Sequence, residues 1–269
     1  MSMFIICFFF TAIAFSRKKS GYFIMAGMCS GLLINIRVMG ILVPLFTILF
    51  LLIDLVKEKG KKQILLSMLV YIISAAGILF LSWPYLWDDP FGNFAAAFIS
   101  MSKYRWDNYL LMFGEFVRST KIGWWYFPSW FVITTPVVYL FLGMTGIVVL
   151  CYHFLKSPGK FLTSTTERNH LLFLSCFAAP VLAVIVLHSV LYDSWRQLFF
   201  IYPSFLLLAI YGLSSILNRK SGKGSLTRYI VMGIIALSFL NTVWFMAKSH
   251  PFQDVYFNKL VSHKEQSLR

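Results

Sequence analysis

Six consecutive residues, Tyr192-Asp193-Ser194-Trp195-Arg196-Gln197, place an acid, an arginine and two aromatic rings in one short polar turn between apolar stretches. The planar fork of an arginine can hold a phosphate through two parallel hydrogen bonds. Trp195 and Tyr192 offer flat faces to a sugar ring or a prenyl chain. Asp193 and Arg196, three residues apart, can also simply pair with each other. Further cations, Arg37, Lys103, Arg105, Arg118 and Lys121, lie outside the strongly basic gaps of the chain. Arg37 stands out, because it sits between two apolar half-spans where an unpaired charge is expensive. It is expected to face a polar cavity or to reach out to an interface.

The other group with chemical potential is the acid pair in Trp87-Asp88-Asp89-Pro90. Paired carboxylates suit a divalent cation or supply a general base. Their structural use would be to cap whatever begins at Pro90. No phosphate-cradling glycine loop, His-x-x-x-His pair or Ser/His/Asp set accompanies them, and no other cofactor is indicated.

Elements that position these residues follow from composition. Of 269 residues, 59% are hydrophobic and 13% charged, which excludes an ordinary soluble domain. A net charge of +14 would suggest nucleic acid in a soluble protein. Here it reports topology, and no nucleic-acid partner is expected. Apolar runs cover roughly 3–16, 22–36, 37–56, 63–83, 131–154, 171–190, 198–216 and 229–247, most of them long enough for a hydrocarbon core that takes about 20 residues. The gaps Arg17–Lys19, Asp54–Lys62, Lys156–Arg168 and Arg219–Arg228 hold 14 of the 24 Lys/Arg residues and only 3 of the 10 acids. Positively charged loops stay cytoplasmic. The loop 84–130, the Tyr192–Gln197 turn and the tail from Lys248 are therefore expected to face outward.

Residues 22–56 barely allow two crossings at about 1.5 Å of rise per residue. Both flanks are basic, so a tight hairpin or re-entrant pair is expected, turning near Asn35-Ile36-Arg37-Val38-Met39-Gly40. The expected fold is all-α: a polytopic helical membrane protein of about eight spans. The bundle covers 1–247, with one amphipathic and aromatic outer loop at 84–130, and 248–269 form an outward tail. In that loop Phe91, Phe94, Phe98 and Met101 recur at helical spacing, which suits a short interfacial helix. Tyr104, Trp106, Tyr109, Trp124, Trp125, Tyr126 and Trp130 follow, rings suited to the headgroup level. Cys7, Cys29, Cys151 and Cys176 all lie inside spans without metal or redox spacing. The short first run lacks a basic leader and a cleavage site, so the chain reads as beginning partway through a bundle.

Several segments carry a resemblance. Leu191-Tyr192-Asp193-Ser194-Trp195-Arg196-Gln197-Leu198-Phe199-Phe200-Ile201-Tyr202-Pro203 resembles a segment of bacterial relatives of the dolichyl-phosphate-mannose protein mannosyltransferases. Trp83 to Pro90, Ile133-Thr134-Thr135-Pro136 and the tail His250 to Asn258 are similar to the same family in the same order, and Gly31 to Gly40 matches a weaker pattern. The resemblance runs from about residue 22 to 261. It implies a C-type glycosyltransferase that takes a sugar from a polyprenyl-phosphate donor on the outer membrane face. Transfer would invert the anomeric centre, with a carboxylate deprotonating the acceptor. The implied ligands are that donor and membrane lipid; the implied contacts are Arg37, Lys103, Arg105, Tyr192, Asp193, Trp195 and Arg196. A bacterial inner membrane is the expected location, with an endoplasmic reticulum as the alternative.

Two departures shape the expectation. The family carries its catalytic acid in a first outer loop that this chain does not contain, and commonly has His where Gln197 stands. The chain is therefore expected to be the C-terminal part of a larger enzyme, or to work with a partner chain that supplies the missing part. Asp88 and Asp89 are the weak substitutes for the acid. A non-catalytic subunit or a transporter binding the same lipid is the alternative. Transporters usually show repeated halves with broken helices, and only one broken region, around Arg37, is seen.

Overall fold

The computed structural model describes residues 2–57, 60–102, 107–112, 114–186, 190–191, 194–218, 224–251 and 256–258. The protein is an all-α helical membrane protein. Among the described residues six helical segments are long and apolar enough to cross a membrane: Val38–Lys57, Lys61–Ser82, Val137–Lys156, Thr165–Val186, Arg196–Leu217 and Arg228–Lys248. Two shorter apolar helices, α1 (Ser2–Arg17) and α2 (Ser20–Ile36), complete the eight expected segments. The six spans contain α3 (Leu42–Lys57), α4 (Lys61–Ser82), α7 (Val137–Lys156), α9 (Thr165–Val186), α10 (Tyr202–Leu217) and α11 (Gly224–Lys248), and the shorter helices between them are α5 (Pro90–Ser102), α6 (Tyr126–Thr134) and α8 (Pro158–Thr163).

The chain divides into two compact units. The first comprises Met1–Tyr104, Phe154–Ala183 and Phe199–Ser204; the second comprises Arg105–His153, Val184–Leu198 and Phe205–Arg269. In the first unit α2 packs mainly on α4 and α1. Its approach to α4 depends on Gly27 and Gly31, one helical turn apart on one face. A Cβ at Gly27 would lie 2.4 Å from the Tyr71 carbonyl oxygen, and one at Gly31 would lie 2.4 Å from that of Ala75. Small residues let membrane helices touch backbone to backbone, where lipid offers no hydrophobic drive for association. Ser30, between those glycines, is fully buried and joins Cys7 Sγ at 3.3 Å to Tyr71 Oη at 2.7 Å.

The turn expected near Arg37 is present. Helix α2 stops at Ile36, Arg37 is extended (φ −154°, ψ 116°), and a 3-10 turn over Val38–Ile41 leads into α3. Pro44 explains where the new helix starts, since its ring excludes the Gly40 carbonyl from an α-helical bond. Gly40 explains how closely the turn folds back, because a Cβ there would lie 2.7 Å from Leu33 Cγ.

Ring contacts order the ends of this unit. Phe15, near the end of α1, meets Phe23 at the start of α2 and Phe50 late in α3. Gln63 donates to Ser20 at 3.0 Å. The basic gaps around residues 17–19 and 54–62 therefore share one end, and Arg168, hydrogen-bonded to Asp54, brings the 156–168 gap to it. At the other end lie Phe4, Asn35, Arg37 and Ser82. This is the segregation that the positive-inside rule requires.

In the second unit the expected span 131–154 is broken. Helix α6 ends at Thr134, and Pro136, lacking an N–H, forces a restart as α7. Helices α7 and α10 touch through Gly146 and Gly212, whose added Cβ atoms would meet the Leu208 and Leu142 carbonyls at 2.0 and 2.2 Å. The loop 84–130 contains α5, as its phenylalanine spacing predicts, and also an element that the spacing does not: a hairpin of β1 (Tyr109–Met112) and β2 (Glu115–Arg118). Its strands are antiparallel, Tyr109 opposite Arg118 and Met112 opposite Glu115, around Gly114 at φ 84°. A glycine adopts that left-handed conformation without steric cost.

Candidate functional site

The most developed arrangement of candidate residues lies at the end of the first unit away from the lysines. Arg37, half-buried, lies with its guanidinium carbon 5.1 Å from the centre of the Phe200 ring. Phe200 in turn stacks on Phe4 at 5.4 Å and 25°. A cation over a ring face gains electrostatic attraction. Asn35 Nδ2 donates to the Ser82 carbonyl at 3.0 Å. That bond ties the Arg37 turn to the start of the loop carrying Asp88 and Asp89, so all three share one end of the unit.

The acids themselves are exposed. Asp89 Oδ1 accepts from Gly92 N at 2.9 Å, and its carbonyl accepts from Asn93 N at 3.0 Å. Asp89 is thus the N-cap of α5, the use that its position before Pro90 suggested. Trp87 Nε1 donates to the Phe80 carbonyl at 2.8 Å, and Asn93 Nδ2 to that of Tyr85 at 2.6 Å, which fixes the loop against its helices. Among the described residues no three His, Cys, Asp or Glu side chains converge as a metal site would require.

Within the second unit, Trp195 is buried. Its indole N–H donates to Thr134 Oγ1 at 2.7 Å, and its ring meets Phe131 and Phe127 edge-on at 5.1 and 6.2 Å. The ring packs against α6 and anchors the turn. Ser194, before it, takes a left-handed φ of 62°, an uncommon choice for serine that re-aims the chain. Arg196 is exposed and opens the 3-10 helix Arg196–Ile201. Tyr192, Asp193, Lys103 and Arg105 lie outside the described residues. Arg118 pairs through both arms of its fork with Asp107, at 2.7 Å each, both half-exposed. That hydrogen bonding holds the Asp107 carboxyl below its ordinary value. Lys121 is exposed at the end of the 3-10 turn Ser119–Lys121.

Asn258, part of the tail motif, has a structural task that the sequence does not announce. It is buried; its backbone N–H donates to the Ile133 carbonyl at 2.8 Å, and Nδ2 donates to the carbonyls of Thr135, at 2.8 Å, and Val132. Pro136 cannot satisfy Val132, so the tail supplies the donor that the helix break removed. We expect Asn258→Ala to cost about 1–3 kcal/mol. Faster amide exchange at Thr134 and Phe257, with a lowered Tm, would report it; unchanged exchange would remove the tail from the break.

A second pairing that sequence reading missed is Asp54 with Arg168. In sequence both read as loop charges of basic gaps, yet both are buried. Arg168 Nη1 donates to Asp54 Oδ2 at 2.8 Å and Nη2 to Oδ1 at 2.5 Å. Nε and Nη2 also donate to the Leu162 carbonyl, and the guanidinium carbon lies 5.6 and 6.0 Å from the centres of the Phe50 and Phe15 rings, which meet each other edge-on. Its satisfied donors and its place at the basic end make it a structural clamp.

No family model matches this sequence, no curated protein matches it, and no solved structure matches its fold.

Proposed function

We propose that this chain is a glycosyltransferase, or the C-terminal portion of one, that takes its sugar from a polyprenyl-phosphate donor at the outward membrane face. The observation that carries the reading is Arg37. It interrupts two apolar helical segments, lies over the Phe200–Phe4 ring pair, and stands at the end opposite the cytoplasmic-type lysines. A phosphate monoester or diester at the headgroup level would meet its fork, and the apolar helices beside it would take the prenyl tail. Exposed Arg196 is the second candidate for an anionic group. The motif likeness to the protein mannosyltransferase relatives supplies the reaction class, and with it a bacterial inner membrane as the location. The capping duty of Asp89 favours one further reading: a chain that binds the lipid-linked sugar without supplying the catalytic acid itself.

The test is binding of a polyprenyl-phosphate sugar to the purified chain in lipid nanodiscs. Arg37→Ala should weaken it roughly 10- to 100-fold, the range for losing a hydrogen bond to a charged group. Arg37→Lys should recover part of the loss, since a point charge replaces the fork. An Arg37→Ala protein of unchanged Tm and unchanged affinity would remove Arg37 from the site.

A further inference from the structure

We propose that α11 pairs in parallel with α11 of a second copy of this chain, through hydrogen bonds between the two Asn241 side chains. The proposal does not depend on the reaction assigned above. Helix α11 turns one face toward its own unit: Val231, Ile235, Ser238, Thr242 and Phe245 are half-buried, and Thr242 Oγ1 is satisfied by the Ser238 carbonyl at 3.0 Å. A second stripe, Ile230, Ile234, Leu237, Asn241, Trp244 and Lys248, is exposed along its whole length. Its spacings alternate four and three, the seam of a two-stranded coiled coil with Ile234 and Asn241 in one set and Leu237 and Trp244 in the other.

Asn241 is the residue that needs a partner. It lies well inside the apolar Arg228–Lys248 span, where no water reaches it, and its amide has no partner among the described residues. Lipid chains offer neither donor nor acceptor. A carboxamide is self-complementary, with N–H groups to donate and a carbonyl to accept. Two copies inserted by the same charge rule are necessarily parallel, so a two-fold axis along the seam sets Asn241 opposite Asn241 without any shift of register. A single asparagine at such a position specifies pairing and register in soluble coils, and polar side chains join membrane helices by the same bond.

The test uses the full chain in liposomes, with single-molecule photobleaching counted across a range of protein-to-lipid ratios. Wild type should dimerise. Asn241→Leu should weaken dimerisation roughly 3- to 30-fold, and Asn241→Gln should restore it. With the native cysteines replaced, Leu237→Cys should form a disulfide-linked dimer and Phe239→Cys should not. A wild type that stays monomeric would mean that lipid or another protein covers the stripe. A dimer indifferent to Asn241→Leu, or one linked through residue 239, would equally overturn the proposal.

Discussion

Gly146→Leu is expected to force α7 from α10 and to destabilise the second unit by at least about 3 kcal/mol, the upper range for overpacking, because the clash is with backbone. The contact is reciprocal. A Cβ on Gly146 would lie 2.0 Å from the Leu208 carbonyl oxygen, and one on Gly212 would lie 2.2 Å from that of Leu142 and 2.7 Å from Gly146 N. A side chain that meets the flexible end of another can push it aside. Here both obstacles are carbonyls inside continuous helices, so relief requires a helix to move. Helices in lipid associate largely through such packing, and little else compensates for its loss. Gly77→Leu is the matched control, since a Cβ there meets nothing within 4 Å. Reversible unfolding in mixed micelles should separate the two variants; equal stability would mean that α7 and α10 do not touch through these glycines.

The second large effect is expected at Asp54. Removing its carboxylate leaves Arg168 charged, 4% exposed and short of its bidentate partner. Breaking one side of a buried pair costs about 3–5 kcal/mol, because the remaining charge has lost both water and its counter-ion. Asp54→Ala should show that loss in the same unfolding assay. Replacing both, with Asp54→Leu and Arg168→Met, should recover most of it, since well-packed apolar residues commonly match a buried ion pair. A double-mutant cycle gives the coupling directly. An Asp54→Ala protein within about 1 kcal/mol of wild type would place the pair in water.

What could be read from sequence depended on range. The spans are local: hydropathy over about 20 residues specifies them, and the basic gaps order their ends. The break at Arg37 is also local, signalled by a charge, Gly40 and Pro44 within eight residues. Gly27 and Gly31 form a G-x-x-x-G pattern in an apolar helix, itself a local signal of close helix packing. Asp54 and Arg168 are 114 residues apart in gaps already explained by topology, so their charges looked accounted for. The hairpin was hidden because Tyr109-Leu110-Leu111-Met112 lacks the polar alternation of a half-buried strand, leaving Gly114 as its only turn signal. Trp195 reads from sequence as a ring for a sugar or prenyl chain, but a ring count cannot distinguish one that meets a ligand from one that packs on Phe131 and Thr134.

The hydrogen bonds from Asn258 to the α6–α7 break also have a meaning for biosynthesis. The donor follows its acceptor on Thr135 by 123 residues. At about 5–20 residues per second the ribosome needs roughly 6–25 s to make that stretch. Throughout this interval the Val132 carbonyl, which Pro136 cannot satisfy, waits for its donor at the head of the Val137–Lys156 span. A nascent chain stalled or cleaved before Asn258 would therefore leave open the polar break at the head of that span, a mark by which membrane chaperones and proteases could distinguish unfinished molecules from finished ones.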